Sequence, residues 1–249
     1  MHDTLVIMAG GMSSRMKRTA EDQSVRAEDA AQADSKDKGM IGVGSSNRPL
    51  MDYLLHNARE AGYTRVIIVT GMDNSVMKSQ YGSQESDNAF HGLSISYAVQ
   101  PIPEGRTKPY GTADAIYRAM IAYPELQNEA FTCCNSDNLY TREALELLRE
   151  TDAPHGWINY DRDGLEFSAE KIGGFALTIT DADGWLLGMV EKPDPKDIQN
   201  YADASGSLRV SMNVFKLNGL VAFPYIRDCP LSKERQEKEL PGTVLTIAA

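Results

Sequence analysis

Apolar residues fall along this chain in two alternating patterns. Short continuous runs occupy residues 5–8, Arg65–Thr70, Ser94–Val99 and residues 130–134, and their β-branched and aromatic content predicts buried strands. Between them the apolar positions recur every three or four residues. Over 49–62 the stripe takes in Leu50, Tyr53, Leu54, Asn57, Ala58 and Ala61, with Pro49 at the start and Gly62 as the stop. Thr112–Ala122 sets Ala113, Ile116, Tyr117 and Met120 inward. Residues 141–150 do the same with Ala144, Leu145 and Leu148, and Thr141 is the candidate N-cap. Strand–helix–strand order predicts an α/β fold with a mostly parallel sheet and helices on both faces.

The pattern changes in the second half. Residues 173–180, the polar stretch Asp181-Ala182-Asp183-Gly184, and residues 185–191 read as a β-hairpin with its turn, and 209–216 as a further strand. Residues 17–37 are polar, charged and alanine-rich, with no stripe that could offset the entropy of ordering them. They are expected to form an inserted mobile loop within one domain spanning 1–249, either a lid or a plain solvated insertion.

Chemistry enters at LVIMAGGMSSRM, residues 5–16, where a buried strand runs into Gly10-Gly11 and a small polar turn ending on Arg15. In open parallel sheets ligands bind beyond the carboxyl ends of the strands. Glycines there let backbone N–H groups approach an anion, and an arginine fork matches phosphate oxygens. The same letters also suit a tight turn with a surface arginine. A net charge of −10 argues against a general nucleic-acid binder but leaves room for a small anionic substrate in a locally positive cleft. Cys133, Cys134 and Cys229 follow no metal or disulfide spacing, which predicts a reducing cytoplasm. No secretory leader and no membrane-spanning run is read.

The motifs AGGxxxRM, KxMI, RPL, GTA, SDN, EKP and MNVF follow one another between Leu5 and Phe215. In that order the chain resembles the sugar-1-phosphate nucleotidyltransferases, or nucleoside-diphosphate-sugar pyrophosphorylases. The resemblance implies a Rossmann-like mixed, mostly parallel sheet with a β-hairpin insertion in the second half. It implies transfer of a nucleotidyl group from an NTP to a sugar 1-phosphate, with release of pyrophosphate and with Mg2+ as cofactor. By the same resemblance Ala9, Gly10 and Gly11 wrap the nucleotide, Arg15 stabilises the departing pyrophosphate and Lys38 contacts the phosphates. Gln100 meets the base, Gly111 and Thr112 flank base and ribose, and Asp137 holds the metal. Gly174, Glu191 and Asn213 contact the sugar, and Lys192 its phosphate. These types suit the chemistry: two anions must meet, so cations and a divalent ion offset their repulsion while no protein nucleophile is needed.

Other readings of the same residues stand beside this one. Asp137 also suits a helix N-cap or a turn. Asp161-Arg162-Asp163 and Asp181-Ala182-Asp183 spell the DxD of glycosyltransferases but sit where turns are expected. The chain departs from the family in the 17–37 insertion between Arg15 and Lys38, in Met12-Ser13-Ser14, and in lacking an evident second metal ligand. A non-catalytic nucleotide-sugar-binding protein, a cytidylyltransferase acting on a non-sugar phosphate and a glycosyltransferase on a related fold are therefore the alternatives. Among bases, Gln100 and Gly111-Thr112 suit a pyrimidine, UTP or dTTP.

Overall fold

The computed structural model describes residues 1–10, 38–82, 88–165, 175–191, 193–194 and 196–248. In chain order, strand β1 (Thr4–Met8) precedes a small ribbon of β2 (Gly42–Val43) and β3 (Arg48–Pro49), then helix α1 (Leu50–Glu60). Next come β4 (Arg65–Thr70), α2 (Ser75–Tyr81), β5 (Ser94–Val99), α3 (Thr112–Ala122), β6 (Ala130–Asn135) and α4 (Arg142–Glu150). The second half holds β7 (Gly156–Asp161), β8 (Leu177–Thr180), β9 (Leu186–Val190), β10 (Arg209–Asn218), α5 (Gly219–Arg227) and α6 (Leu240–Ala248).

An eight-stranded sheet runs in the order β5-β4-β1-β6-β10-β8-β9, with β7 on the other edge of β10. β5, β4, β1 and β6 are parallel; β10 then runs antiparallel to β6, and β8 and β9 form the antiparallel hairpin. From β1 the chain steps outward to β4 and β5, then returns to place β6 on the opposite side of β1. That reversal opens a crevice at the carboxyl ends of β1 and β6, where open α/β sheets take their ligands.

The parallel strands are mostly apolar because both faces are covered. On one face Leu5, Ile7, Val66, Ile68 and Ile95 meet α1, α2 and α4 through Met51, Leu54, Leu55, Met77, Leu145 and Leu148. On the other, Val6, Met8, Ile67, Val69 and Ala98 meet α3, α5 and α6 through Ile116, Met120, Ala222, Ile226 and Val244. Strand alternation sends Cys134 into the first layer and Cys133 into the second. Each fully buried aliphatic side chain contributes about 1.5–3 kcal/mol, which makes these two layers the main source of stability.

The sequence-based expectations meet the structure with definite differences. The helix over 112–122 and the strands β4 and β5 fall as expected, and Thr141 caps α4 by accepting from the Ala144 N–H at 3.2 Å. The buried stripe of α1, however, is Met51, Leu54, Leu55 and Ala58; Leu50, Tyr53 and Asn57 are only half-buried. Two overlapping stripes share Leu54 and Ala58, and packing selects the one that turns Asn57 to donate to Tyr140 O at 2.8 Å. On α3 Tyr117 is half-buried, while Asp114 lies buried beside the apolar positions. Strand β7 and helices α2, α5 and α6 were not evident from periodicity. The 17–37 insertion and residues 173–174 lie outside the described residues. Among the described residues no helix is long and apolar enough to cross a membrane.

Candidate active site

One wall of the crevice begins at the end of β1. The sheet continues through Ala9, whose N–H donates to Val69 O at 2.8 Å, and Gly10 follows it. A Cβ on Gly10 would lie 3.2 Å from Gln100 Oε1. Gln100 follows β5 and is 4% exposed. Its Nε2 donates to Gly111 O at 2.8 Å and to Asp114 Oδ2 at 2.9 Å, so its amide braces the turn into α3. Asp114 is itself 2% exposed and has Arg118 one helical turn on, at 3.4 Å.

Gly111 holds φ at +110°, and a Cβ there would lie 2.7 Å from Lys238 O. Only glycine suits both conditions. The carbonyl of Lys238 accepts from the Ala113 N–H at 2.9 Å, and Thr112 Oγ1 accepts from the Leu240 N–H at 2.9 Å. The start of α3 is thus braced from within by Gln100 and from outside by residues 236–240. Arg106 stacks over Tyr110 at 4.6 Å and donates to Gln236 O at 2.8 Å, and Lys108 pairs with Glu237 at 2.6 Å.

The opposite wall is the turn after β6. Ser136 N–H donates to Met8 O at 3.2 Å, which fixes this turn to the end of β1, and Asp137 follows as an exposed side chain. The 3₁₀ turn Lys38–Met40 packs against it: a Cβ on Gly39 would lie 3.1 Å from Ser136 O. The segment that holds Lys38 is therefore packed against the turn that holds Asp137. Buried Tyr140 ties the turn to β10. Its hydroxyl donates to Met212 O at 2.8 Å and accepts from Asn138 Nδ2 at 3.2 Å, and burial pushes its phenol well above the ordinary range. A neutral phenol can donate, which this bridge requires.

Next to that bridge Asn213 sits at φ 57°, inside a register shift between Ser211 and Phe215. Along one edge of β10 the residues from Val214 pair with β6, whereas Val210 pairs with Leu177 of β8. The irregularity lies where the strand passes from one neighbour to the other, a place where bulges re-aim side chains. Glu191 follows β9 and accepts from Arg235 Nη2 at 3.0 Å; Arg235 Nη1 lies 3.1 Å from Glu239 Oε1. Burial, with Glu191 and Glu237 nearby, raises the carboxyl of Glu239 above its ordinary range.

The structure thus gathers Ala9, Gly10, Gln100, Gly111, Thr112, Asp137, Glu191 and Asn213 at the carboxyl ends of the strands and in the segments tied to them. Gly11, Arg15, Gly174 and Lys192 lie outside the described residues, as does the side chain of Lys38. Tyr140, Asp114 and Arg235 were not found from sequence; the Asp114–Arg118 spacing is the one local signal among them. Both DxD strings form turns: Asp161 Oδ1 accepts from Asp163 N, and Asp181 Oδ1 from Asp183 N and Trp185 N. Among the described residues no three His, Cys, Asp or Glu side chains gather as a metal cluster.

The family profile described as "Nucleotidyl transferase" matches residues 33–211, most of the chain. The chain belongs to the nucleotidyl transferase family. Among its relatives, glucose-1-phosphate adenylyltransferase 2 of Vibrio cholerae is 24% identical over 221 residues, covering 88% of this chain and 50% of the relative. Glucose-1-phosphate adenylyltransferase 1 of Vibrio vulnificus is 26% identical over 204 residues, covering 80% and 45%. The D-glycero-alpha-D-manno-heptose 1-phosphate guanylyltransferase of Aneurinibacillus thermoaerophilus is 23% identical over 135 residues, covering 54% and 46%. The chain spans about half the length of these curated relatives. A solved UDP-glucose pyrophosphorylase, complexed with UDP-glucose, shares the fold with a TM-score of 0.70 at 17% identity, covering 100% of this chain and 87% of that one.

Proposed function

We propose that this chain transfers a nucleotidyl group from a nucleoside triphosphate to a sugar 1-phosphate, releasing pyrophosphate and forming an NDP-sugar. The observation that carries the reading is the reversal of strand order at β1. Beside it, at the carboxyl ends of the strands, stand Gly10, Gln100 and Gly111–Thr112 on one side and Asp137 and Asn213 on the other. The family match and the names of the relatives support the same reaction class.

In this reading the nucleotide lies along Ala9, Gly10 and Gly11, with its base toward Gln100 and the Gly111–Thr112 turn. The sugar lies toward Gly174, Glu191 and Asn213. A phosphate oxygen of the sugar phosphate attacks the α-phosphorus, and the bond to pyrophosphate breaks in line with it. Arg15, Lys38 and Lys192 offset the joint negative charge, and most of the rate gain comes from positioning and electrostatics. Asp137 is the residue that would hold Mg2+. A single exposed carboxylate suits a cation that takes its other ligands from water and substrate phosphates. When bound, that ion would supply charge neutralisation at the phosphates.

UTP or dTTP with glucose 1-phosphate is the first pair to test, the sugar following the relatives' names. The experiment is a matrix of ATP, CTP, GTP, UTP and dTTP against a panel of sugar 1-phosphates, with Mg2+ and a pyrophosphate readout. Turnover of one pair establishes the reaction. No pyrophosphate from any pair, beside tight calorimetric binding of an NDP-sugar, would select the non-catalytic binding protein instead.

A further inference from the structure

The segment 235–240 touches both sides of the crevice. Toward the nucleotide side, Gln236, Glu237, Lys238 and Leu240 bind the loop leading into α3 through the bonds from Arg106, Lys108, Ala113 and to Thr112 already described; Lys238 N–H also donates to Tyr110 O at 2.5 Å. Toward the sugar side, Arg235 reaches Glu191 at 3.0 Å. We infer that Arg235 is a positioning residue, holding the Glu191 carboxylate at a set spacing from the Gly111–Thr112 turn so that the two substrate subsites stay in register. The inference rests on the reading of Glu191 as the acceptor of a sugar hydroxyl.

Charge explains why an arginine is needed there. Glu191 and Glu239 share one guanidinium, Nη2 serving the first and Nη1 the second. Without it two carboxylates face each other, and the freer of them, Glu191 at the end of its hairpin, swings away. A planar fork can hold two carboxylates in one geometry, whereas a lysine ammonium is a single point charge that fixes them less well. The side chains of Arg235 and Glu191 are 40% and 46% exposed, so the pair adds little to folding stability. Its effect belongs in substrate binding, where a small misplacement is costly.

The test is initial-rate kinetics of Arg235→Ala and Arg235→Lys with the substrate pair that the wild-type chain turns over, beside a thermal melt. Arg235→Ala is expected to raise the KM for the sugar 1-phosphate about tenfold, with kcat and the KM for the nucleotide each within about twofold. Its melting point should be unchanged. Arg235→Lys should recover part of the loss, and Lys233→Ala, in the preceding exposed turn, should leave both constants as they were. An unchanged or lowered sugar KM in Arg235→Ala, beside an active wild type, overturns the inference alone. A wild type inactive with every pair overturns the parent reading and the inference with it.

Discussion

Gln100 Nε2 donates to Asp114 Oδ2 at 2.9 Å, joining the end of β5 to the first turn of α3 between two buried side chains. The same nitrogen also holds Gly111 O. Gln100→Leu would keep the volume but leave a buried carboxylate and a carbonyl short of a donor. It should destabilise the fold by about 1–3 kcal/mol, read as a lower urea midpoint at unchanged m-value. The proposed nucleotide site should weaken with it, and a variant as stable as wild type would remove the bracing role.

Gly111 makes a stricter demand. An alanine would have to hold φ at +110° with its Cβ 2.7 Å from Lys238 O. Gly111→Ala should cost more than about 1 kcal/mol and detach residues 236–240 from α3. Hydrogen exchange would report this as faster exchange at the Ala113 and Leu240 amides.

Asp137→Asn should fold normally, because the residue is exposed in its turn. In the proposed reaction it should lose about a hundredfold or more in pyrophosphate release, as expected for a lost metal carboxylate. Raising Mg2+ should restore part of the rate. Wild-type turnover would remove Asp137 from the metal site.

His2 gives a pH-dependent prediction far from the crevice. Its Nε2 lies 2.8 Å from Thr132 Oγ1, and burial above all, then the charges of Lys216, the N-terminus and Arg149, lower its pKa from 6.5 to about 4. The folded state therefore favours neutral imidazole. The stability this carries is full above pH 6.5 and is lost as the pH falls toward 4, by up to about 3 kcal/mol. His2→Gln should flatten the stability curve across that window, measured by urea melts against wild type.

The parallel half of the sheet was legible because β1, β4, β5 and β6 are largely buried on both faces, which favours β-branched and aromatic residues along them. The stripe of α1 was ambiguous for a physical reason: Leu54 and Ala58 belong to two possible faces, and only contact with β1 and β4 chooses between them. β7 escaped notice because its residues are half-buried up to the exposed Asp161 and show no alternation. The candidate site was legible where glycines and a strand-end aspartate mark turns. Arg235 was not, since residues 233–239 alternate charges like any solvated surface, and their partners are set by the fold. Tyr140 carries no local signal, because its role depends on the distant backbone of Met212.

The side chains of Cys133 and Cys134 belong to opposite layers of the protein. Burial also pushes both thiols up, away from the reactive thiolate. Neighbours in sequence, they are strangers in space. No bifunctional arsenical can bridge them and no oxidant can join them while β6 keeps its place, so their capture by such a reagent would serve as a clock for global unfolding.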